Sequence, residues 1–275
     1  MAYKIQRLGL GGVLDQAIAI TRNHFVLLFS IIAILLIPYL LAFGSVQYAM
    51  ELDLPPEPTM DDIMRAQEAS MAYLPWFFLL LFGYTAIIWP IANAAVIQAV
   101  ARLYLGEEVT AGEAIKHALR RFFPLVLTSI LMTLIIGVGF ALLIIPGIYF
   151  MIWYGLSQHV VVLEGLSGMT ALKRSKQLVH PQRGTFLALL LITGIMSWLV
   201  NMSIAFIPQP IVAIFASALV QGMMTVLITA TFVVFYFSAR CSVENFDLMR
   251  LAENIGAREA EEGEPSAQFE RGTSL

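Results

Sequence analysis

Residues 124–163 read PLVLTSILMTLIIGVGFALLIIPGIYFMIWYGLSQHVVVL, forty positions without one Asp, Glu, Lys or Arg. A bilayer's hydrocarbon core is about 30 Å thick, so one spanning helix needs roughly 20 apolar residues. Forty is too many for one crossing and enough for two. Pro146-Gly147 stands inside the run. Proline removes an N–H and clashes with the preceding turn, and glycine frees the backbone, so the pair punctuates a helix. The run is expected to fold as a tight hairpin of two spans, 124–145 and 147–163, the second being the shorter.

The same reading extends outward. Apolar runs at 25–46 and 74–102 precede the hairpin, and runs at 185–207 and 211–239 follow it. Pro208-Gln209-Pro210 parts the last two. The run at 74–102 is long enough to tilt, and Pro90 marks a kink. The expected fold is an all-α integral membrane protein of about six transmembrane helices arranged as three hairpins. Composition agrees. Hydrophobic residues make up 59% and charged residues 13%, where soluble domains carry about 25% charged residues. The membrane domain is expected to fill residues 1–245, leaving 246–275 as a tail. The first run exceeds the length of a signal-peptide apolar core, so a retained helix is expected there.

Lysine and arginine set the orientation. Of 16 such residues, all but Arg65 fall in or at the border of residues 1–24, 103–123, 164–184 and 240–275. These segments, both termini included, are expected in the cytoplasm. The opposite connection, 47–73, is acidic, with Glu51, Asp53, Glu57, Asp61, Asp62 and Glu68. Pro55, Pro56 and Pro58 extend its first half, and a short surface helix is expected from Asp61. Its carboxylate spacing fits no EF-hand loop, which needs a glycine and an ordered acid pattern. Residues 244–258 pattern as an amphipathic helix with Phe246, Leu251 and Ile255 on one side. From Glu259 the sequence is small, acidic and polar, and disorder is expected.

The basic segments resemble one another. Gly12, Ala17, Arg22 and Phe25 precede the first span, and Gly112, Ala114, Arg120, Arg121 and Phe122 precede the third. Gly168, Ala171, Lys173 and Arg174 stand before the fifth, with extra residues around Pro181. Each segment reads as a short amphipathic helix ahead of a transmembrane hairpin, three times over. In the second copy Ala111, Ala114, Ile115, Ala118, Leu119 and Phe122 share one face. Thr110 and Glu113 form a capping-box pattern at its start. Such helices are expected at the membrane interface, apolar face in the acyl boundary and basic face toward anionic phospholipid headgroups. The candidate headgroup or partner contacts are Lys116, Arg120, Arg121, Lys173, Arg174 and Lys176. The returning spans also rhyme: Arg102 precedes Glu107, His159 precedes Glu164 and Arg240 precedes Glu244. A cation near a helix C-terminus is favoured by the exposed carbonyls, which suffices as an explanation.

The run Leu142-Leu-Ile-Ile-Pro146-Gly147-Ile148-Tyr149, then Val160-Val-Val-Leu-Glu164-Gly165, then Ala171-Leu-Lys-Arg-Ser175, resembles the glycerophosphoryl diester phosphodiesterase membrane domain family. The YciC-like uncharacterised bacterial inner-membrane proteins belong to the same likeness, as does the opening Leu8-Gly-Leu-Gly-Gly-Val-Leu-Asp15-Gln-Ala17. It covers roughly residues 8–245. The resemblance implies a bacterial cytoplasmic-membrane protein. Some relatives carry a catalytic phosphodiesterase domain after the membrane domain. Here the residues past the last span leave no room for one, and diesterase activity is not expected.

Ionisable residues deep in a membrane are costly and usually functional. This chain offers His159, with the uncharged candidates Asn93, Gln98, Gln158, Asn201 and Gln221. They read either as interhelical hydrogen-bond partners or as pore-lining groups. His24, His117 and His180 have no metal-ligand spacing, no phosphate-binding GxxxxGK[ST] loop occurs, and the lone cysteine, Cys241, has no partner for a disulfide. No metal, cofactor or nucleic acid is expected. The leading expectation is a non-enzymatic protein that organises lipid or partner proteins through its basic helices. The alternative is a transporter or channel for a small or lipid-linked solute, though the three repeats enter from one side, unlike inverted repeats. An intramembrane enzyme would have only His159 and the cytoplasmic glutamates to work with.

Overall fold

The computed structural model describes residues 6–50, 59–205 and 209–244. The elements among them are all helical. In chain order they are α1 (Leu10–Asn23), α2 (Phe25–Met50), α3 (Met60–Met71), α4 (Leu74–Gly83), a π-helical turn (Tyr84–Ile88), α5 (Trp89–Tyr104), α6 (Ala111–Arg120) and α7 (Phe122–Leu142). Then come α8 (Ile144–Tyr154), α9 (Ser157–Glu164), α10 (Gly168–Val179), a 3₁₀ turn (His180–Gln182), α11 (Arg183–Ala205) and α12 (Pro210–Glu244). The expected tail helix and disordered end, the prolines of the acidic loop, and Pro208 lie outside the described residues.

Five stretches are long and apolar enough to cross a membrane: Phe25–Val46, Met60–Tyr104, Phe122–Leu142, Gly168–Ile204 and Phe215–Glu244. The chain is a multi-pass membrane protein. Its surface says the same. Leu127, Ile130, Leu134 and Val138 of α7 are exposed at steps of three and four, as are Leu191, Ile195, Trp198 and Met202 of α11. Such stripes normally face a core. Here they face outward, which water would penalise and lipid does not.

The core is built on α12, about 50 Å long at 1.5 Å per residue. From Ala230 to Ala239 every residue is buried. A helix apolar all round belongs at the centre of a bundle. α12 packs there against α1, α2, α5, α10 and α11. The C-terminal ends of α5, α9 and α12 meet the three amphipathic helices at one end of the bundle. Tyr104 donates to Gln16 of α1 at 2.7 Å, and Tyr236 donates to Glu164 at 2.8 Å. His117 of α6 lies 3.3 Å from the Val162 carbonyl oxygen. We refer to this as the basic end.

Three expectations need correction. The turn of the central hairpin falls at Leu143, which is extended (φ −162, ψ 153), and not at Pro146-Gly147. Pro146 sits in the first turn of α8, where the missing N–H would have been unpaired anyway. The expected span 147–163 is broken into α8 and α9 around Gly155-Leu156. At Pro90, where a kink is expected, a π-helical turn stands just before the proline, and the Trp89 N–H donates to the Tyr84 carbonyl five residues back. Finally, the apolar faces of the amphipathic helices are covered by protein and not open to an acyl boundary. Val13, Ala17 and Ile20 of α1, Ala114 and Ala118 of α6, and Ala171 and Leu178 of α10 are fully buried. Leu119, assigned to the apolar face of α6, is 54% exposed.

The capping box at Thr110 is present, with the Glu113 N–H donating to Thr110 Oγ1 and the Thr110 N–H to Glu113 Oε2, both at 3.3 Å. A second stands at Thr59 and Asp62, opening α3 at the position expected for the surface helix of the acidic connection.

Candidate functional site

Two sets of polar residues stand out, one at the basic end and one within the apolar part of the bundle.

At the basic end α5 closes with left-handed Gly106 (φ 81). The Gly106 N–H donates to Leu103 O and the Glu107 N–H to Arg102 O, a double bond pattern that uses up the last carbonyls. The turn returns Glu107 to Arg102, whose Nε lies 3.0 Å from the carboxylate, while Arg102 Nη1 lies 3.3 Å from Glu113 of α6. α9 also ends at a left-handed glycine, Gly165 (φ 75). A Cβ there would lie 2.9 Å from the Arg121 guanidinium, so glycine makes room for Arg121 against the C-terminus of α9. Two of the three glutamates of the rhyme, Glu107 and Glu244, are ion-pair partners of Arg102 and Arg240. His159 and Glu164 are not paired with each other; Glu164 binds Arg174 at 2.8 Å and accepts from Tyr236.

Arg174 thus joins three elements. It donates to Glu164 of α9 and to Glu244 of α12 from its own place on α10, and Arg240 also reaches Glu244, at 2.9 Å. Glu244 lies past the expected span 211–239.

A cavity of about 390 Å³ opens among these groups, lined by Gln98, Arg102, His117, Arg121, Glu164 and Arg240, among others. A second of about 210 Å³ shares Gln98, Arg102 and His117 with it and adds Glu113, Lys116 and Arg120. Arginine and lysine outnumber glutamate in both linings. The arrangement suits an anion. Of the six candidate cations, Lys116, Arg120, Lys173 and Lys176 are exposed, Arg121 lines the larger cavity, and Arg174 is committed to its carboxylates. Lys176 also lies 3.9 Å over the Trp153 ring.

Deeper in the bundle, another cavity of about 390 Å³ collects Asn93, Gln158, His159 and Gln221. Asn201 stands beside it, accepting from Gln221 at 2.9 Å. Gln98 does not join them. It lies five residues beyond Asn93 on α5, a turn and a half at about 100° per residue, and faces the basic end. A hydrogen-bonded row crosses the bundle here. Thr229 of α12 donates to Asn93 Oδ1 at 3.1 Å, Asn93 Nδ2 to Gln158 at 2.8 Å, and Gln158 Nε2 to Ser129 of α7 at 3.2 Å. Among the described residues neither ring nitrogen of His159 has a hydrogen-bond partner, and its ring stands edge-on to Phe232 at 6.3 Å.

The sequence reading missed Ser129, Ser197, Thr225 and Thr229 of this region. A signal existed: Gln221, Thr225 and Thr229 recur every four residues, one face of a helix. Asn93→Leu is expected to cost about 1 kcal/mol, the usual scale of one polar interhelical contact in a membrane. Unfolding in detergent measures it, and Thr229→Val should add little on the Asn93→Leu background.

The chain matches no protein-family model, no curated protein and no solved structure.

Proposed function

We propose that this is a non-enzymatic protein of a bacterial inner membrane, of the glycerophosphoryl diester phosphodiesterase membrane-domain type, that organises anionic lipid or partner proteins at its basic end. In this reading it has six spans in three hairpins, with both termini and the basic end in the cytoplasm. The α8–α9 pair serves as the fourth span, since Ile144 to Glu164 would reach about 30 Å if laid end to end.

One observation carries the proposal. The amphipathic helices use their apolar faces on the protein itself, so Lys116, Arg120, Lys173 and Lys176 stand on fixed helices at the basic end, with Lys116 and Arg120 lining the smaller cavity there. A preordered cationic surface pays little entropy on meeting anionic headgroups. Each cation near such a surface contributes about 1 kcal/mol.

Reversing Lys116, Arg120, Lys173 and Lys176 to glutamate is therefore expected to abolish a preference for phosphatidylglycerol over phosphatidylcholine. Lipid retained by the detergent-purified protein, quantified by mass spectrometry, reads it. The shift should be tenfold or more, and an unchanged lipid ratio would remove the proposal's support. Arg174 is left out of the variant because its loss would disturb the fold.

A further inference from the structure

We propose that the cavity deep in the bundle is a binding site for an uncharged amphiphile carrying a hydroxyl group. Its volume, about 390 Å³, lies in the range of small-molecule sites. Among the described residues, no Asp, Glu, Lys or Arg lines it. A charged ligand would therefore enter a low-dielectric space without a counter-charge, which is prohibitively costly. The ligand is neutral.

The polar demand comes from His159. It is 6% exposed, lines the cavity, and has no hydrogen-bond partner at either ring nitrogen among the described residues. A neutral imidazole offers one donor and one acceptor. A hydroxyl can answer either, because it is donor and acceptor at once. The neighbouring amides do not compete for the same role. Asn93 and Gln158 are fixed in the row from Thr229 to Ser129, which makes the wall preordered.

The rest of the wall asks for an apolar body. Met132, Met151 and Met224 line it, and methionine adapts to irregular apolar shapes. Water filling the whole space would leave these thioethers wet. The entrance points the same way. Gln221 lines the cavity yet is exposed, so the cavity reaches the bundle surface there. The flanking Trp198, Leu219 and Met223 are exposed too. Such a mouth opens on lipid, and the ligand is a lipid-borne alcohol more than a water-borne one.

Photolabelling the full chain in detergent with oleyl alcohol carrying a diazirine in its tail tests this. Labelled peptides are expected from α11 and α12 around the mouth. Oleyl alcohol should compete at least tenfold better than oleyl methyl ether, which cannot donate a hydrogen bond. His159→Phe should lower labelling at least fivefold. Met224→Trp, which fills the cavity and keeps the imidazole, should do the same, and either variant suffices if it melts like the parent. Equal competition by the ether would mean that the hydroxyl is not recognised, and no competition by either would mean that the cavity holds water alone; each result would overturn the proposal. Competition by erythritol as strong as by oleyl alcohol would assign the site to a water-borne polyol and overturn the amphiphile.

Discussion

Replacing Arg174 with methionine is expected to destabilise the protein by about 3 kcal/mol, among the largest effects of any single side chain at the basic end. The Arg174 side chain is 18% exposed and holds Glu164 and Glu244, whose side chains are 16% and 27% exposed. Removing one member of a mostly buried ion cluster leaves uncompensated charge, which typically costs 3–5 kcal/mol. Partial exposure places the expectation at the lower end, about 3 kcal/mol. Thermal unfolding in detergent measures it. Arg174→Met combined with Glu164→Gln should recover most of the loss, because Glu164 is the carboxylate left without its cation, while Glu244 keeps Arg240. No recovery would mean that Arg174 acts by packing alone.

The second large effect is expected in the central hairpin. Gly139 of α7 and Gly147 of α8 let the two helices touch. A Cβ on Gly139 would lie 3.0 Å from the Gly147 Cα and 2.6 Å from the Phe150 ring. One on Gly147 would lie 2.5 Å from the Phe140 ring. The first contact is with backbone, so no rotamer change relieves it. Small residues that allow such approach are how helices associate without a hydrophobic drive between them. Gly139→Val is expected to cost about 3 kcal/mol, the upper range of overpacking. Gly137→Val is the control, because a Cβ at Gly137 meets nothing within 4 Å. Similar losses in both variants would refute the close-approach account.

The helical, membrane-crossing character was legible because it rests on run length and charge, which are local. The breaks were less so. Gly155 interrupts the expected fourth span where a Cβ would meet the Phe186 ring at 2.5 Å. That neighbour comes from α11 and leaves no mark on residues 147–163. The cover on the amphipathic helices is a different case. Periodicity tells which face is apolar and not what covers it. Yet Ala17, Ala114, Ala118 and Ala171 stand on the buried faces, and small residues favour close helix packing over lipid contact. The residues that line the deep cavity were named by polarity within apolar runs. Their assembly depended on phase: Asn93 with Thr229, Gln158 with Asn93, and Gln98 turned away to the arginines. Arg174 was read as a surface cation because Glu164 and Glu244 are distant in sequence, and only the meeting of α9, α10 and α12 makes them partners.

Cysteine accessibility from the two sides of sealed bacterial cells and inverted vesicles tests the central claim, that one end is a cytoplasmic basic cap and the other carries the hairpin turns. Cys241 is buried and can be replaced by alanine first. Thr59→Cys, Leu143→Cys and Gln209→Cys are expected to react with an impermeant maleimide on intact cells. Glu108→Cys, Gly112→Cys and Lys173→Cys should react only in inverted vesicles. Labelling of Leu143→Cys from the same side as Gly112→Cys would break the hairpin arrangement and the proposed basic cap with it.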